Sequence, residues 1–295
     1  MSWAAKLSAP YRVDHGKKFR LKDFDPEDTG DFHSEEHAQE MLEKSLAAMR
    51  DLQDKLYAQD RWAVLIILQA LDAAGKDGLV KHVMTGMNPQ GCQVYSFKQP
   101  SSEELNHDYM WRAARRLPER GHIGIFNRSY YEEVLVVRVH PEILQGERIP
   151  DELIGKDIWE QRYDDFVNFE RYLAHNGTVV RKFFLNLSKK EQKKRFMQRL
   201  NNPEKNWKFS AADVRERACW DDYMSAFEDV IGATSKKHAP WYVVPADNKW
   251  YTRLVVAAAI VETLESLRLS YPKVRAAEKK ELAAAKRELQ AGDHS

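Results

Sequence analysis

The stretch WAVLIILQALDAAGKDGLVKH, residues 62–82, passes from an unbroken apolar run into a turn of small residues and then into a helix-forming segment. Trp62–Leu68 lacks the alternation of a half-exposed strand, so it reads as a strand covered on both faces. The turn that follows, DAAGKDG, has the composition of a phosphate-binding loop. Ala73, Ala74, Gly75, Asp77 and Gly78 are small or polar enough for backbone N–H groups to approach an anion. A helix opening at Lys76 adds the partial positive charge of its N-terminus, and Lys76 itself reaches phosphate oxygens. Lys81 lies further along the same helix as an additional phosphate contact. Against the pattern GxxxxGK[ST], Gly75 and Lys76 match, Ala70 replaces the first glycine and Asp77 replaces the Ser or Thr. The hydroxyl that usually holds magnesium is therefore missing from its place. Asp72 is the nearest oxygen ligand that could replace it; a turn-capping aspartate is the alternative reading of that residue. A GK pair alone would carry nothing, but the strand before it and the small-residue run around it do.

Outward from this loop the chain divides into three parts: an extended arm, 1–33; an α/β domain, 34–275; and a charged tail, 276–295. Ser34 caps a helix to about Gln59, whose carboxylates read as a solvated face. Further strands are expected at Cys92–Phe97, His122–Asn127, Thr178–Leu187 and Trp241–Val244. Helices are expected at Ser101–Arg116, Ser129–His140, Ile158–Ala174, Lys189–Leu200, Ala211–Ile231 and Lys249–Leu269. Alternation of this kind implies a parallel sheet with helices on both faces and ligands at the carboxyl ends of the strands.

Composition bounds the function. The 295 residues are 43% hydrophobic and 31% charged, which excludes global disorder. Cys92 and Cys219 build neither a disulfide framework nor a zinc site. No apolar run approaches the roughly 18 residues of a membrane span, and the first residues carry no apolar core for a signal peptide, so a soluble cytoplasmic protein is expected. The net charge of +1 conceals polarity. Residues 23–60 hold 12 acidic and 3 basic side chains, while residues 181–217 hold 12 basic and 4 acidic. One concentrated basic segment points to a local anion site.

Two further motifs carry chemistry. In GHIGIFNRSYYEEVLVVRVH, residues 121–140, Asn127 ends a strand where a Walker B aspartate is commoner. Arg128 follows it and can cross a phosphate channel, and Glu132 can face the same mouth from the nucleotide or metal side; a surface carboxylate is its alternative. The basic segment 188–217 follows a core strand where small kinases place their lid. Lys194, Arg195 and Lys208 are its phosphate-binding candidates, as a lid closes on transferring phosphates and supplies positive charge. A generic basic surface that binds nucleic acid remains the alternative, although no helix-turn-helix, zinc or RNP signature accompanies it.

Taken together, LKDFDPEDTG, LQALDAAGKDG, NPQG, SFKQPSSEELNHDYMWR, GIFNRSYYEEVLVVRVHPE and the lysine-rich segment resemble the polyphosphate kinase 2 family, over almost the whole chain and most closely its class III. The resemblance implies a thymidylate-kinase-like P-loop fold of three layers with a helical lid. It implies transfer of the terminal phosphate of inorganic polyphosphate to AMP or ADP, with magnesium, or manganese in its place, and a homo-oligomer. Asp72, Lys76, Asn127 and Arg128 fall on its catalytic positions, and Lys194 and Arg195 on its phosphate-binding segment. Guanine nucleotides are further candidate acceptors; neither nucleic acid nor membrane is expected as a partner. The family loop usually reads GMDAAGK or GRDAAGK, so Ala70 departs from it, and Tyr130 stands where histidine is common. From the residues alone, an ATP-dependent small-molecule kinase and a non-enzymatic nucleic-acid binder are the rival readings.

Overall fold

The computed structural model describes residues 2–292. Its centre is β2, Ala63–Gln69, every residue of which is buried. Because side chains alternate across a strand, Val64, Ile66 and Leu68 enter one core while Leu65 and Ile67 enter another. The remaining strands are β1 (Arg12–Val13), β3 (Cys92–Ser96), β4 (Ile123–Asn127), β5 (Thr178–Asn186) and β6 (Trp241–Pro245). They lie in the order β1-β6-β5-β2-β4-β3. All pairings are parallel except that of β1, which runs antiparallel to β6 at the edge.

The helices form the outer layers. On one face lie α1 (Trp3–Ser8), α2 (Glu35–Gln59), α3 (Lys76–Met84) and, later in the chain, α11 (Lys249–Ser266). Short turns α4 (Trp111–Ala114) and α6 (Glu142–Gly146) accompany α5 (Glu132–Val139) and α7 (Ile158–His175). With α10 (Trp220–Thr234), α5 and α7 cover the other face. Between β5 and α10 stand α8 (Lys189–Leu200) and α9 (Ala211–Ala218), and α12 (Ala276–Gly292) closes the described chain. Ser34 caps α2 as expected, its Oγ accepting the N–H of His37 at 3.2 Å. Glu35, Glu36, Glu40 and Glu43 face solvent. The apolar run Leu254–Val261 of α11 is wholly buried in the core. Among the described residues no helix is long and apolar enough to cross a membrane, and both cysteines are free.

Three expectations change. The arm is not extended throughout, since Trp3–Ser8 is helical, capped by Ser2, and Arg12–Val13 adds a strand to the sheet. Burial explains it: Ala4 and Tyr11 are core residues. Residues 101–116 are not one helix, because Asp108 Oδ1 takes the N–H groups of Met110 and Trp111 and interrupts the ladder. Residues 211–231 break at Cys219, whose backbone leaves the helical region (ψ 21°) and separates α9 from α10.

Candidate active site

The loop between β2 and α3 sits at the carboxyl end of the central strand, where a parallel sheet opens its ligand crevice. Gly75 caps α3 with φ 105°, a conformation glycine adopts without strain. Ala73 also lies in the left-handed region, at φ 64°, which costs an L-residue roughly 1–2 kcal/mol. Ala70 does not, so the loop begins without requiring glycine there. Among the described residues the backbone N–H groups of Lys76, Asp77 and Gly78 find no acceptor outside the helix. These are the donors that the first turn of any helix leaves free.

Lys76 folds back over the loop, its Nζ donating to the Ala70 carbonyl at 2.6 Å. Burial pushes its ammonium down to about 8, and neighbouring Arg128 pushes the same way, against Asp72, Glu132 and Asp77. Asp77, in the place of the usual hydroxyl, accepts a hydrogen bond from Asn127 Nδ2 at 3.0 Å, which ties the loop to the end of β4. Arg128 follows with φ 64°. Its guanidinium bridges Asp72 (3.3 Å) and Glu132 (3.1 Å), and Glu132 above all raises its already high pKa.

The strained turn at Arg128 is anchored from behind. Tyr130 and Tyr131 both donate to Glu170, at 2.9 and 2.8 Å, and Lys182 donates to the same carboxylate at 2.6 Å. Lys182 and Glu170 are fully buried, so removing either partner would cost on the order of 3–5 kcal/mol. Tyr130 is thus a core anchor, its hydroxyl held by the buried Glu170 carboxylate.

Two cavities meet at the Asp72–Arg128 pair. The larger, about 620 Å³, lies over the loop. Asp72, Ala73, Ala74, Gly75, Lys76, Asp77 and Gly78 line it, with Asn127, Arg128 and Lys208. Lys98 after β3, Arg199 at the end of α8, and Lys249 and Arg253 on α11 complete a wall of seven cationic groups against two carboxylates. The smaller, about 280 Å³, opens on the far side of the pair. It holds Asp72, Glu132, Asp213 and Glu216 with Arg128 and Arg217, against Trp220, Tyr223 and Phe227. Tyr223 donates to Glu216 at 2.7 Å. Burial, with Asp72 nearby, raises the carboxyl of Asp213.

Of the residues expected from sequence, three stand outside both cavities. Lys81 is exposed on α3. Lys194 points to solvent and pairs with Glu191 at 3.0 Å. Arg195 is a correction: its side chain is 4% exposed, and it packs beneath the loop rather than facing a ligand. Conversely, Lys98, Arg199, Lys249 and Arg253 were not foreseen. Lys98, Lys249 and Arg253 follow strand ends, so the rule placing ligands at the carboxyl edge of a sheet could have found them. Asp213, Glu216, Arg217 and Tyr223, which also line the acidic cavity, had no local signal, because α5, α9 and α10 meet only in the fold.

The residues present suit a divalent ion completed by substrate rather than held in a preformed cage. Among the described residues no cluster of three or more ligating side chains exists. Magnesium, however, needs only one or two carboxylates besides phosphates and water, and Asp72 stands at the edge of the phosphate loop to provide one.

Residues 32–271 match the model of the family described as polyphosphate kinase 2. An ADP-polyphosphate phosphotransferase from Rhodopseudomonas palustris is 54% identical over 280 residues, covering 95% of this chain and 97% of that protein. An AMP/ADP-polyphosphate phosphotransferase from Meiothermus ruber is 44% identical, over 92% of this chain and 97% of its own length. The crystal structure of polyphosphate kinase 2 from Arthrobacter aurescens superposes with a TM-score of 0.86 at 39% identity, covering 97% of this chain and 99% of that one.

Proposed function

This chain belongs to the polyphosphate kinase 2 family, and from that premise we propose how its two cavities divide the work. The protein is a polyphosphate-dependent nucleotide phosphotransferase. Polyphosphate lies along the basic cleft over the phosphate loop. The nucleotide enters from the acidic, aromatic side, with its phosphate toward Arg128. The observation that carries this reading is the asymmetry of charge across the Asp72–Arg128 pair. A polyanion of many phosphates needs an extended cationic wall, whereas a base and ribose need an apolar face with a few hydrogen-bonding groups.

In the forward direction, an anionic phosphate oxygen of AMP or ADP attacks the terminal phosphorus of polyphosphate. The new P–O bond forms as the bond to the shortened chain breaks, and the chain departs with the electron pair. The attacking oxygen is already ionised near neutral pH, so no strong base is required. The difficulty is to bring two polyanions into line, which positioning and positive charge solve. Lys76 and the free amides at the start of α3 hold the transferring phosphate, and Arg128 crosses between donor and acceptor. Asp72 would hold magnesium, or manganese in its place; a bound ion neutralises developing charge on the phosphate oxygens. Glu132 holds Arg128 in position.

The donor comparison tests the whole reading. Purified protein is incubated with magnesium, AMP or ADP, and either long-chain polyphosphate or ATP with small alcohols, and the products are identified by phosphorus NMR. ADP and ATP are expected with polyphosphate, and no phosphorylated alcohol with ATP. Efficient alcohol phosphorylation without ATP formation from ADP and polyphosphate would overturn it.

A further inference from the structure

Arg195 lies on α8, inside the most basic segment of the chain, yet none of its donors is available to a ligand. Nη1 donates to the carbonyls of Ala73 and Ala74, both at 3.0 Å. Nη2 donates to the carbonyls of Ala246 (2.7 Å) and Asp247 (2.9 Å) after β6. Nε donates to Glu191 at 3.0 Å. A guanidinium has five N–H donors, and here all five are used inside the protein. One turn earlier on the same face, Gln192 donates to the carbonyl of Asp72 at 3.1 Å, and its own oxygen is held by Arg217 at 2.7 Å. Three successive carbonyls of the phosphate loop are therefore taken by α8.

We infer that Arg195, seconded by Gln192, is a positioning residue for the phosphate loop. It draws the carbonyls of Asp72, Ala73 and Ala74 toward α8, and so turns the amides that follow toward the cleft. The strain at Ala73, φ 64°, shows why a restraint is needed: an alanine left free would relax out of the left-handed region. The same bonds join the loop to the segment after β6, where Asp247 holds the start of α8 through the N–H and Oγ of Ser188, at 2.8 and 2.6 Å. On this arrangement α8 is a fixed brace beneath the site. Arg217 ties α9 to the same brace, donating to the carbonyl of Lys189 and to the side-chain oxygen of Gln192 at 2.8 and 2.7 Å.

The inference rests on the phosphate-loop reading, so its test includes a measurement independent of activity. Arg195→Lys is the decisive variant, because it keeps the charge but offers three donors from one point instead of a fork. Hydrogen exchange at the amides of Ala74 and Leu79, which donate to the carbonyls of Leu71 and Gly75, is compared in wild type, Arg195→Lys and the milder Gln192→Leu, alongside turnover with polyphosphate and ADP. Loop exchange should rise in both variants. Turnover should fall about 10²-fold in Arg195→Lys, the scale expected for a small misplacement of a catalytic group, and less in Gln192→Leu. The Michaelis constant for ADP should hardly move in Arg195→Lys, since Arg195 lines neither cavity. Millimolar ethylguanidinium should partly restore turnover in Arg195→Ala, and ethylammonium should not. Should Arg195→Lys show wild-type turnover and wild-type loop exchange, the positioning role is overturned. So it is if only the polyphosphate Michaelis constant changes, and changes with salt, since that is the signature of a direct phosphate contact. A wild-type protein inactive with polyphosphate but with loop exchange altered in the variants would instead overturn the function and leave the brace standing.

Discussion

On one side of the Asp72–Arg128 pair seven cationic side chains face two carboxylates; on the other, four carboxylates face two arginines across an aromatic wall. The two cavities share that pair and little else. One is built from strand ends and helix N-termini, where backbone amides and basic side chains converge and an anion is favoured. The other is built from helix flanks, where shape and hydrogen bonding select a ligand. Both draw on the same stretch of chain. The segment after β5 sends Arg199 and Lys208 into the basic cleft and Asp213, Glu216 and Arg217 into the acidic cavity. Charge summed along a sequence is therefore a poor guide to charge presented on a surface.

The contrast is broken most severely at its basic end. Lys76→Ala removes the cation that sits at the loop, and turnover with polyphosphate should fall by about 10³ or more, with circular dichroism unchanged. The wild-type pH dependence sharpens this. Burial lowers the Lys76 ammonium to about 8, so the charge is present below that pH and lost as pH rises through it. Polyphosphate affinity should weaken above pH 8. Binding there should take up protons, because phosphate oxygens favour the charged form. Calorimetry in two buffers of different ionisation enthalpy measures the uptake, which should vanish in Lys76→Ala. Wild-type turnover in the folded variant would remove the phosphate-loop assignment.

At the shared wall, Asp72→Asn keeps the shape and deletes the charge. Turnover should fall about 10²-fold or more, and excess nucleotide should not recover it. Unchanged activity would leave Asp72 as a turn residue that steadies Arg128.

Smaller changes should separate the two cavities. Replacing Arg199 and Lys208 together by Ala should raise the Michaelis constant for long polyphosphate about tenfold, with a weaker salt dependence, and leave that for ADP unchanged. Tyr223→Phe removes one of the two side chains that hold Glu216, leaving His140 at 3.0 Å, and should do the reverse. The expected loss is about two- to tenfold in nucleotide affinity, the worth of one hydrogen bond. If both variants affect both substrates alike, the division between donor and acceptor sides fails.

The core alternation, the loop and the strand-end pair Asn127-Arg128 were legible in the sequence because each is local. β2 announces itself by an apolar run, and Asp72, Gly75 and Lys76 follow it within a few residues. What was not legible depends on packing across the chain. Asp77 reads as a missing hydroxyl, but in the fold its carboxylate accepts from Asn127, 50 residues away. Tyr130 reads as a departure from a pattern, but Glu170 on α7 gives its hydroxyl a buried partner. Arg195 reads as a phosphate-binding candidate because it stands in a lysine-rich run, and only the fold brings four backbone carbonyls to it.

The smallest effect tests that last point from the outside. Lys194 and Arg199 lie on one helix five residues apart, which at 3.6 residues per turn places them about 140° around its axis. Arg199 lines the basic cleft. Among the described residues Lys194, 65% exposed, pairs only with Glu191, a contact at the surface of the kind that contributes about 0–1 kcal/mol and is screened by salt. Lys194→Ala should therefore change the Michaelis constants for polyphosphate and for ADP by less than about twofold, a shift of that order or less in free energy. Arg199→Ala in the same assay should weaken polyphosphate alone. An increase in the polyphosphate constant as large in Lys194→Ala as in Arg199→Ala would mean that the chain runs over the outer face of α8. The donor would then follow the linear charge of the segment rather than the cleft, and the contrast between the two cavities would lose its basic half.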